Sequence, residues 1–156
     1  MVTFIAGAGD GPRPYRNTRI MYFLEGAGQT FKPGHVVILS AGKIVKAASA
    51  AVAAIVGVAA EAASGVTDRK IGVYVADENA ELQGRVQDTG VLALANVGAQ
   101  FGIVLDAAAG RDIFRVNLAD TTNKAVTVTE LIDAVGDVNG KVVFKWMNAV
   151  RTPQFS

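Results

Sequence analysis

The chain of 156 residues has no cysteine and one histidine, His35, and these two shortages exclude several kinds of site. Without cysteine the chain forms no disulfide, which fits a reducing compartment, and it has no thiolate nucleophile or metal ligand. A histidine-based metal site or nucleophile–base pair would have to be built around His35. Because no serine or aspartate stands at a motif spacing from His35, we expect this histidine at the surface or at a strand edge.

Aromatic residues make up only 7% of the chain, and neither sign of charge is in excess, with Lys+Arg 15 against Asp+Glu 14. This balance gives no bulk attraction to nucleic acid or to an anionic membrane, so we expect neither as a partner. Long hydrophobic runs are also missing. The most apolar window, residues 47–63, is rich in alanine and interrupted by polar residues, which falls short of a membrane-spanning helix. The N-terminus lacks the charged start and apolar stretch of a secretory signal.

What the chain has instead is a run of short apolar segments separated by small turns. Hydrophobic residues make up 51% of it, with alanine and valine predominant, and small or β-branched side chains suit closely packed sheets. Lys32-Pro33-Gly34 has the proline and glycine of a type II turn, and Gly57 marks a bulge or a close approach of two backbones. The pattern predicts an all-β fold, either a small β-barrel or a sandwich of short antiparallel strands.

Two segments alternate clearly between apolar and polar residues. The side chains expected on their apolar faces are Ile71, Val73 and Val75 in the first and Leu82, Gly84 and Val86 in the second. Residues 125–135 and 141–147 are predicted as the last two strands, joined by "GDVNG", in which Asn139-Gly140 is a strong hairpin signal. No repeat of fixed period is evident, so the sequence predicts one domain.

Residues 1–30 differ from the rest and are predicted to form an extended N-terminal arm, followed by a β-rich domain at 31–148 and a C-terminal tail at 149–156. Glycine and proline interrupt any regular element early in the arm. Its mixture of basic and aromatic residues is typical of interface hot spots. The candidate partner-binding residues are Arg13, Tyr15, Arg16, Arg19, Tyr22 and Phe23. The arm either docks on a partner or folds back on its own domain, and the sequence favours neither alternative.

Three motifs resemble known binding sites but lack residues or neighbouring structure that those sites require. "GAGDGP" at residues 7–12 resembles a phosphate-binding loop, but proline prevents the helix that must follow it and the Walker lysine is missing. Asp77, Glu78 and Glu81 lie close together without the ligand spacing of a calcium loop. "SAGKIVKA" lacks the neighbours that biotinyl or lipoyl carriers place around their modified lysine. We therefore predict no catalytic, cofactor-binding or metal-ligating residue, and we expect that the chain is not an enzyme.

Five phrases taken in order resemble the head decoration, or cement, proteins of tailed bacteriophages: "GHVVILSAGKIVKA", "AAIVGVAAEAASG", "IGVYVADENAELQGRV", "GVLALANVGAQFGIVLD" and "GDVNGKVVFKW". The resemblance runs from about Val36 to Trp146 and rests on a succession of strands and turns. It implies a virion protein on the capsid exterior, made in the bacterial host cytoplasm, that contacts the major capsid protein. It also implies self-association as a homotrimer.

The expected function is therefore stabilisation of a capsid by bridging subunits of the major capsid protein, with no cofactor. A bridging protein needs contact area and multivalency more than reactive groups. Sheet edges can add to this area by pairing with strands of a neighbour. Two alternatives stay open. One is another phage structural subunit, such as a tail-tube or head-fibre base protein, and the other is a small-ligand-binding or carrier domain, which needs convergent polar residues.

Overall fold

Residues 11–153 are described by the structure, a computed structural model in which 44% of these residues lie in β-strands or β-bridges. The strands are β1 (Arg13–Arg16), β2 (Ile20–Leu24), β3 (Val36–Ser40), β4 (Lys43–Lys46), β5 (Ile55–Ala59), β6 (Lys70–Val75), β7 (Glu81–Arg85), β8 (Gln100–Asp106), β9 (Ile113–Asn117), β10 (Val126–Leu131) and β11 (Lys141–Trp146). Short 3-10 turns lie at Leu94–Asn96, Ala108–Gly110 and Asn148–Val150. Within residues 11–153 there is no α-helix, and so none of the length and apolarity needed to cross a membrane. The predicted all-β fold of short antiparallel strands is confirmed.

The strands form two antiparallel sheets that fit a sandwich. One has six strands in the order β1-β7-β11-β10-β8-β9, and the other has five in the order β2-β6-β5-β3-β4. Each sheet is curled, so that the residue following β2 or β7 reaches the edge strand on the far side of the same sheet, β4 or β9. Glu25, after β2, bridges Ile44 of β4, and Val86, after β7, bridges Val116 of β9. The curl lets each sheet enclose apolar side chains on its inner face.

The two sheets repeat one arrangement of five strands. A first unit, residues 20–75 with β2 to β6, and a second unit, residues 81–146 with β7 to β11, share the spatial order 1-5-4-2-3 when strands are counted along each unit. Both units close in the same way. The amide of Gly26 donates to the carbonyl of Ile44, and the amide of Gln87 donates to the carbonyl of Val116, each at 2.9 Å. The chain is therefore an internal structural duplication, to which β1 is added as a further strand on β7.

The correspondence extends to the turn before the second strand of each unit. Gly34 and Gly98 have positive φ angles of 92° and 84°. The amide after each glycine, of His35 and Ala99, donates to a carbonyl three positions earlier. Glycine adopts this backbone without strain, so the predicted type II turn at Lys32-Pro33-Gly34 is confirmed. The duplication itself is not visible in the sequence, because the units share an order of strands without sharing a fixed period of residues.

Two apolar cores lie within this arrangement. The larger draws on both units and includes Val36, Ile55 and Val58 from the first with Leu82, Phe114, Phe144 and Trp146 from the second. The smaller lies inside the first unit and is formed by Phe31, Val37, Ile44, Val56, Ala59, Ile71 and Val73. The predicted apolar faces are buried, with no more than 3% exposure at Ile71, Val73, Val75, Leu82 and Val86. Because the larger core is shared, the two units pack as one body.

The predicted arm and tail are corrected for the residues that the structure describes. Strand β1 pairs with β7 and β2 pairs with β6, so the segment from residue 11 onwards folds back on its own chain. At the other end, Val150 is buried in the larger core, and the amide of Thr152 donates to the carbonyl of Ile55 at 3.0 Å. Residues 149–153 therefore belong to the packed domain. Residues 1–10, with most of the "GAGDGP" motif, and residues 154–156 lie outside the described range.

The last hairpin has a longer connection than the sequence predicts. Strands β10 and β11 pair antiparallel as expected, but β10 ends at Leu131 and residues 132–140 form a loop. Asn139 has the positive φ of a turn residue, 56°, yet it lies at the end of this loop rather than within a two-residue turn. The apolar residues Ile132 and Val135, predicted as part of the strand, are therefore loop residues.

Gly57 lies at a close approach of two backbones, one of the two alternatives that the sequence predicts for it. A Cβ atom at this position would lie 1.9 Å from the carbonyl oxygen of Tyr74, and the φ angle is 150°. We expect Gly57→Ala to lower the free energy of unfolding by about 2–4 kcal/mol, because β5 and β6 would have to separate. Chemical denaturation measures this loss.

Gly42→Ala is the matched control, because Gly42 also has a positive φ, 80°, but has open space around it. Its expected cost is about 1–2 kcal/mol from backbone strain alone. Equal losses in the two variants would show that no backbone contact constrains Gly57.

Candidate protein-interaction site

The predicted arm residue Arg16 is held within the chain. Its guanidinium pairs with Glu81 of β7 and, at 2.8 Å, with Glu130 of β10. The same group lies 4.5 Å from the centroid of the Tyr15 ring, which is 37% exposed. The two ion pairs fasten β1 to its own sheet, so Arg16 acts first as a structural residue.

The other four arm candidates point in different directions. Arg19 pairs with Asp77 at 2.8 Å, and Phe23 packs against the smaller core. Arg13 is exposed on β1, and Tyr22 on β2 is 65% exposed. The structure therefore does not bring the six predicted residues together into one surface, and Tyr22 is the most open of their aromatic side chains.

Strand β2 shows a continuous apolar face to solvent, named here the β2 face. Its alternate residues Ile20, Tyr22 and Leu24 are 45%, 65% and 38% exposed, whereas the two residues between them are half-buried. The strand contains no charged residue and no proline. An exposed strand of this composition is a candidate contact surface.

A second apolar surface lies where loops 86–99 and 132–140 meet, and we name these loops the apolar loop pair. Val91 bridges Val138, and the amide of Leu92 donates to the carbonyl of Asp137 at 2.9 Å. Six of the twelve large apolar side chains exposed in residues 11–153 lie here: Val91, Leu94, Val97, Ile132, Val135 and Val138. The two loops contain three aspartates and no lysine or arginine. Single exposed apolar residues are ordinary, but six of them on two adjoining loops make this surface a candidate interaction site.

Sequence reasoning missed the apolar loop pair, although the chain carries a signal for it. The exposed residues recur at every third position in both loops, at 91, 94 and 97 and at 132, 135 and 138. A period of three fits neither an alternating strand nor an amphipathic α-helix. Such a pattern between two strands indicates a loop that turns apolar side chains outwards.

The corresponding loops of the first unit, residues 25–35 and 60–69, have a different character. Glu25 is fully buried, and its carboxylate accepts hydrogen bonds from the Ser64 amide and hydroxyl and from the Gly65 amide. Burial opposes ionisation, but these hydrogen bonds and the nearby Arg69 outweigh it and lower the pKa of Glu25. Val66 is the one large apolar side chain exposed in these loops. At equivalent positions the first unit thus has the buried carboxylate of Glu25 and the second has Val86. Over residues 20–146, only the second unit has an apolar surface on its loops.

His35 is buried, and the prediction of a surface or edge histidine is wrong. Its Nδ1 accepts a hydrogen bond from the Lys32 amide at 2.9 Å, so Nε2 carries the proton and donates to the carbonyl of Asp112 at 2.8 Å. The ring also meets Phe114 edge-on. His35 belongs to the first unit and Asp112 to the second, so this histidine joins the two units. Both ring nitrogens are satisfied, which is the arrangement of a structural residue.

The buried His35 predicts loss of stability in mild acid. Burial lowers the pKa of His35 below 6.5; Lys46 and Lys32 add to this effect, and Asp112 partly opposes it. The unfolded chain therefore binds a proton near pH 6.5 that the folded chain does not. Stability is full above pH 6.5 and falls as the pH drops below it, by up to about 1.4 kcal/mol per pH unit.

Denaturant unfolding at pH 7, 6 and 5 tests this prediction cleanly, because His35 is the only histidine. The lowered pKa values of Glu25 and Asp112 remove stability only below their ordinary values of 4.5 and 3.8. His35→Asn should be less stable at pH 7 and should lose little further stability down to pH 5. A wild-type protein with the same stability at pH 7 and pH 5 would contradict the prediction.

A partly buried ion cluster beside β9 comes nearest to a polar ligand site among the described residues. Arg115 is 4% exposed and donates to Asp106 at 2.9 Å, and Arg111 pairs with Asp88 at 2.5 Å. Burial raises the pKa of Asp106, but hydrogen bonds from Arg115 and the Ala108 amide lower it overall. An adjoining cavity of about 370 Å³ is lined by three of these groups. Their charges are already paired with one another, so the cluster fastens the loops together.

Two of the acidic residues noted in the sequence, Asp77 and Glu81, are also engaged, and Glu81 pairs with Arg16. Asp77 accepts hydrogen bonds from the amides of Asn79 and Ala80 and pairs with Arg19. In the part of the chain that the structure describes, no group of three or more acidic or histidine side chains is placed to hold a metal ion. The segment from residue 77 to 81 is a turn stabilised by its own aspartate.

Comparison of the chain with protein-family models gives no match, and neither does comparison with the curated proteins.

Proposed function

We propose that the chain is a structural virion protein that binds the exterior of a bacteriophage capsid and stabilises it by bridging subunits of the major capsid protein. The observation that carries this proposal is the apolar loop pair, since it offers a protein-binding surface on a chain whose charged clusters are internally paired. The resemblance of the sequence to capsid cement proteins supplies the identity of the partner. The same resemblance supports self-association as a homotrimer, which light scattering tests.

The character of the apolar loop pair favours a protein partner. Its two loops are linked to each other by backbone hydrogen bonds of 2.8–2.9 Å at Leu92, Gly136 and Asn139, so the exposed side chains are carried on an ordered surface. Pre-organised apolar groups bind with a smaller loss of conformational entropy than groups on a mobile segment. The β2 face is a second exposed apolar surface, and a protein that bridges neighbouring subunits needs at least two.

The double variant Leu94→Ser with Val135→Ser tests the apolar loop pair. Leu94 and Val135 are 75% and 61% exposed, so their replacement should leave the thermal midpoint unchanged. We expect the affinity for undecorated capsids of the virus that encodes the chain to fall by about tenfold or more, because two central apolar anchors are lost. Co-sedimentation over a range of protein concentrations measures the change.

The matched control is Val52→Ser with Val66→Ser, which removes two exposed valines outside the apolar loop pair. It should bind capsids as the wild type does. Wild-type protein that stays in the supernatant would exclude the capsid role. Equal binding by both double variants would show that the apolar loop pair is not part of the interface. Labelled protein found on the tail by electron microscopy would instead support the alternative of a tail subunit.

A further inference from the structure

The four outer strands of the two sheets differ in how they are protected against further pairing. Strand β1 carries Pro14 between arginines and a register shift, and β9 bridges back to the end of β7. Strand β4 has a lysine at each end and bridges back to Glu25. Proline, charge, bulges and coverage are the usual means by which proteins block a sheet edge. Strand β2 has none of them along Ile20–Tyr22, because its bridge to β4 lies at the other end of the strand, at Glu25, and this makes Ile20–Tyr22 the unprotected edge.

The backbone of β2 is oriented to accept a further strand. The carbonyl of Arg19 accepts from the Val75 amide at 3.0 Å, and the amide of Glu25 donates to the Arg69 carbonyl at 2.8 Å. Backbone groups alternate in direction along a strand, so Ile20 and Tyr22 direct their N–H and C=O groups away from β6. Over the described residues, β2 pairs along its length with β6 alone.

The second unit shows what fills this edge. Glu25 and Val86 close the two units at equivalent positions, so residues 20–22 correspond to residues 81–83. In the second unit, residues 81–83 pair with β1 in antiparallel register. The same edge in the first unit has no such strand among residues 11–153. One fold therefore presents the same edge twice, once occupied by its own chain and once open.

We propose that the open edge of β2 receives an extended segment of the capsid protein, added antiparallel to β2 opposite Ile20–Tyr22. This proposal rests on the proposed function and names a strand-pairing contact distinct from the apolar loop pair. Main-chain hydrogen bonds give such a contact its affinity, and alternate side chains packed on Ile20 and Tyr22 give it selectivity.

The charges around the edge indicate the composition of the added segment. Lys70 lies beside Leu24 at one end of β2 and is exposed, whereas Arg19 at the other end is paired with Asp77. The acid on this face, Glu61, is already engaged with the Gly72 amide. An apolar strand with an acidic residue near Lys70 complements this arrangement. A second copy of β2 has no acidic side chain to offer Lys70, so the charge favours a different chain.

The test compares Tyr22→Pro with Tyr22→Thr. Proline removes the outward N–H at position 22 and leaves the hydrogen bonds of β2 to β6 in place, whereas threonine removes the same ring and keeps the N–H. We expect Tyr22→Pro to reduce co-sedimentation with undecorated capsids at least about tenfold relative to Tyr22→Thr, because one edge hydrogen bond is lost and the proline ring obstructs the approach of the added strand. A thermal midpoint near that of Tyr22→Thr shows that the variant is folded.

Amide hydrogen exchange keeps the proposal testable if Tyr22→Pro does not fold. In the isolated wild-type protein the amides of Ile20 and Tyr22 should exchange quickly, and on capsids the peptide that contains them should become protected. Equal capsid binding by the two variants, or no added protection on capsids, overturns the edge contact while the proposed function stands. Slow exchange in the isolated protein shows that the edge is already filled and also overturns it. Wild-type protein that does not bind capsids removes both proposals.

Discussion

Each unit is closed by a backbone hydrogen bond between the end of its first strand and its third strand, that is, between β2 and β4 or between β7 and β9. At this point one amide, of Gly26 or of Gln87, donates to a carbonyl of the strand opposite at 2.9 Å. The geometry curls an otherwise open sheet, and the curl creates an interior for side chains that a flat sheet would leave exposed. A Cβ at Gly26 would lie 2.8 Å from Val45 and 3.1 Å from the Ile44 carbonyl. The closure of the first unit therefore depends on the absence of a side chain there.

Local patterns predicted the strands and turns well, because they depend on neighbouring residues. The alternation at residues 70–76 and 81–87, the type II turn at Lys32-Pro33-Gly34 and the close approach at Gly57 are all confirmed. The pairing of β1 and β2 with distant strands could not be predicted in this way. Their partners lie about fifty to seventy residues later in the chain, and nothing in a short window specifies them.

The burial of His35 and Glu25 could not be predicted from neighbouring residues either. His35 lies beside a proline–glycine turn, where exposure is the usual outcome, but the fold brings Asp112 to its Nε2 atom. Glu25 has no partner close to it in sequence, and its carboxylate is held by Ser64 and Gly65. In both cases the second unit or a distant loop supplies the hydrogen bonds that make burial tolerable. The outward apolar residues of the loop pair were missed for a related reason, since the strand predicted over residues 125–135 includes Ile132 and Val135.

The contact between the two units determines how a pulling force passes through the chain. If the apolar loop pair and the β2 edge are attached to different capsid subunits, tension between those subunits enters the chain at the second unit and leaves it at the first. The load then crosses the shared core and the contact of His35 and Lys46 with Asp112. Antiparallel strands and a broad apolar core resist such a pull over many contacts at once. Under such tension the duplication would place two folded units in series, and the contact between them includes His35, whose protonation is predicted to weaken it.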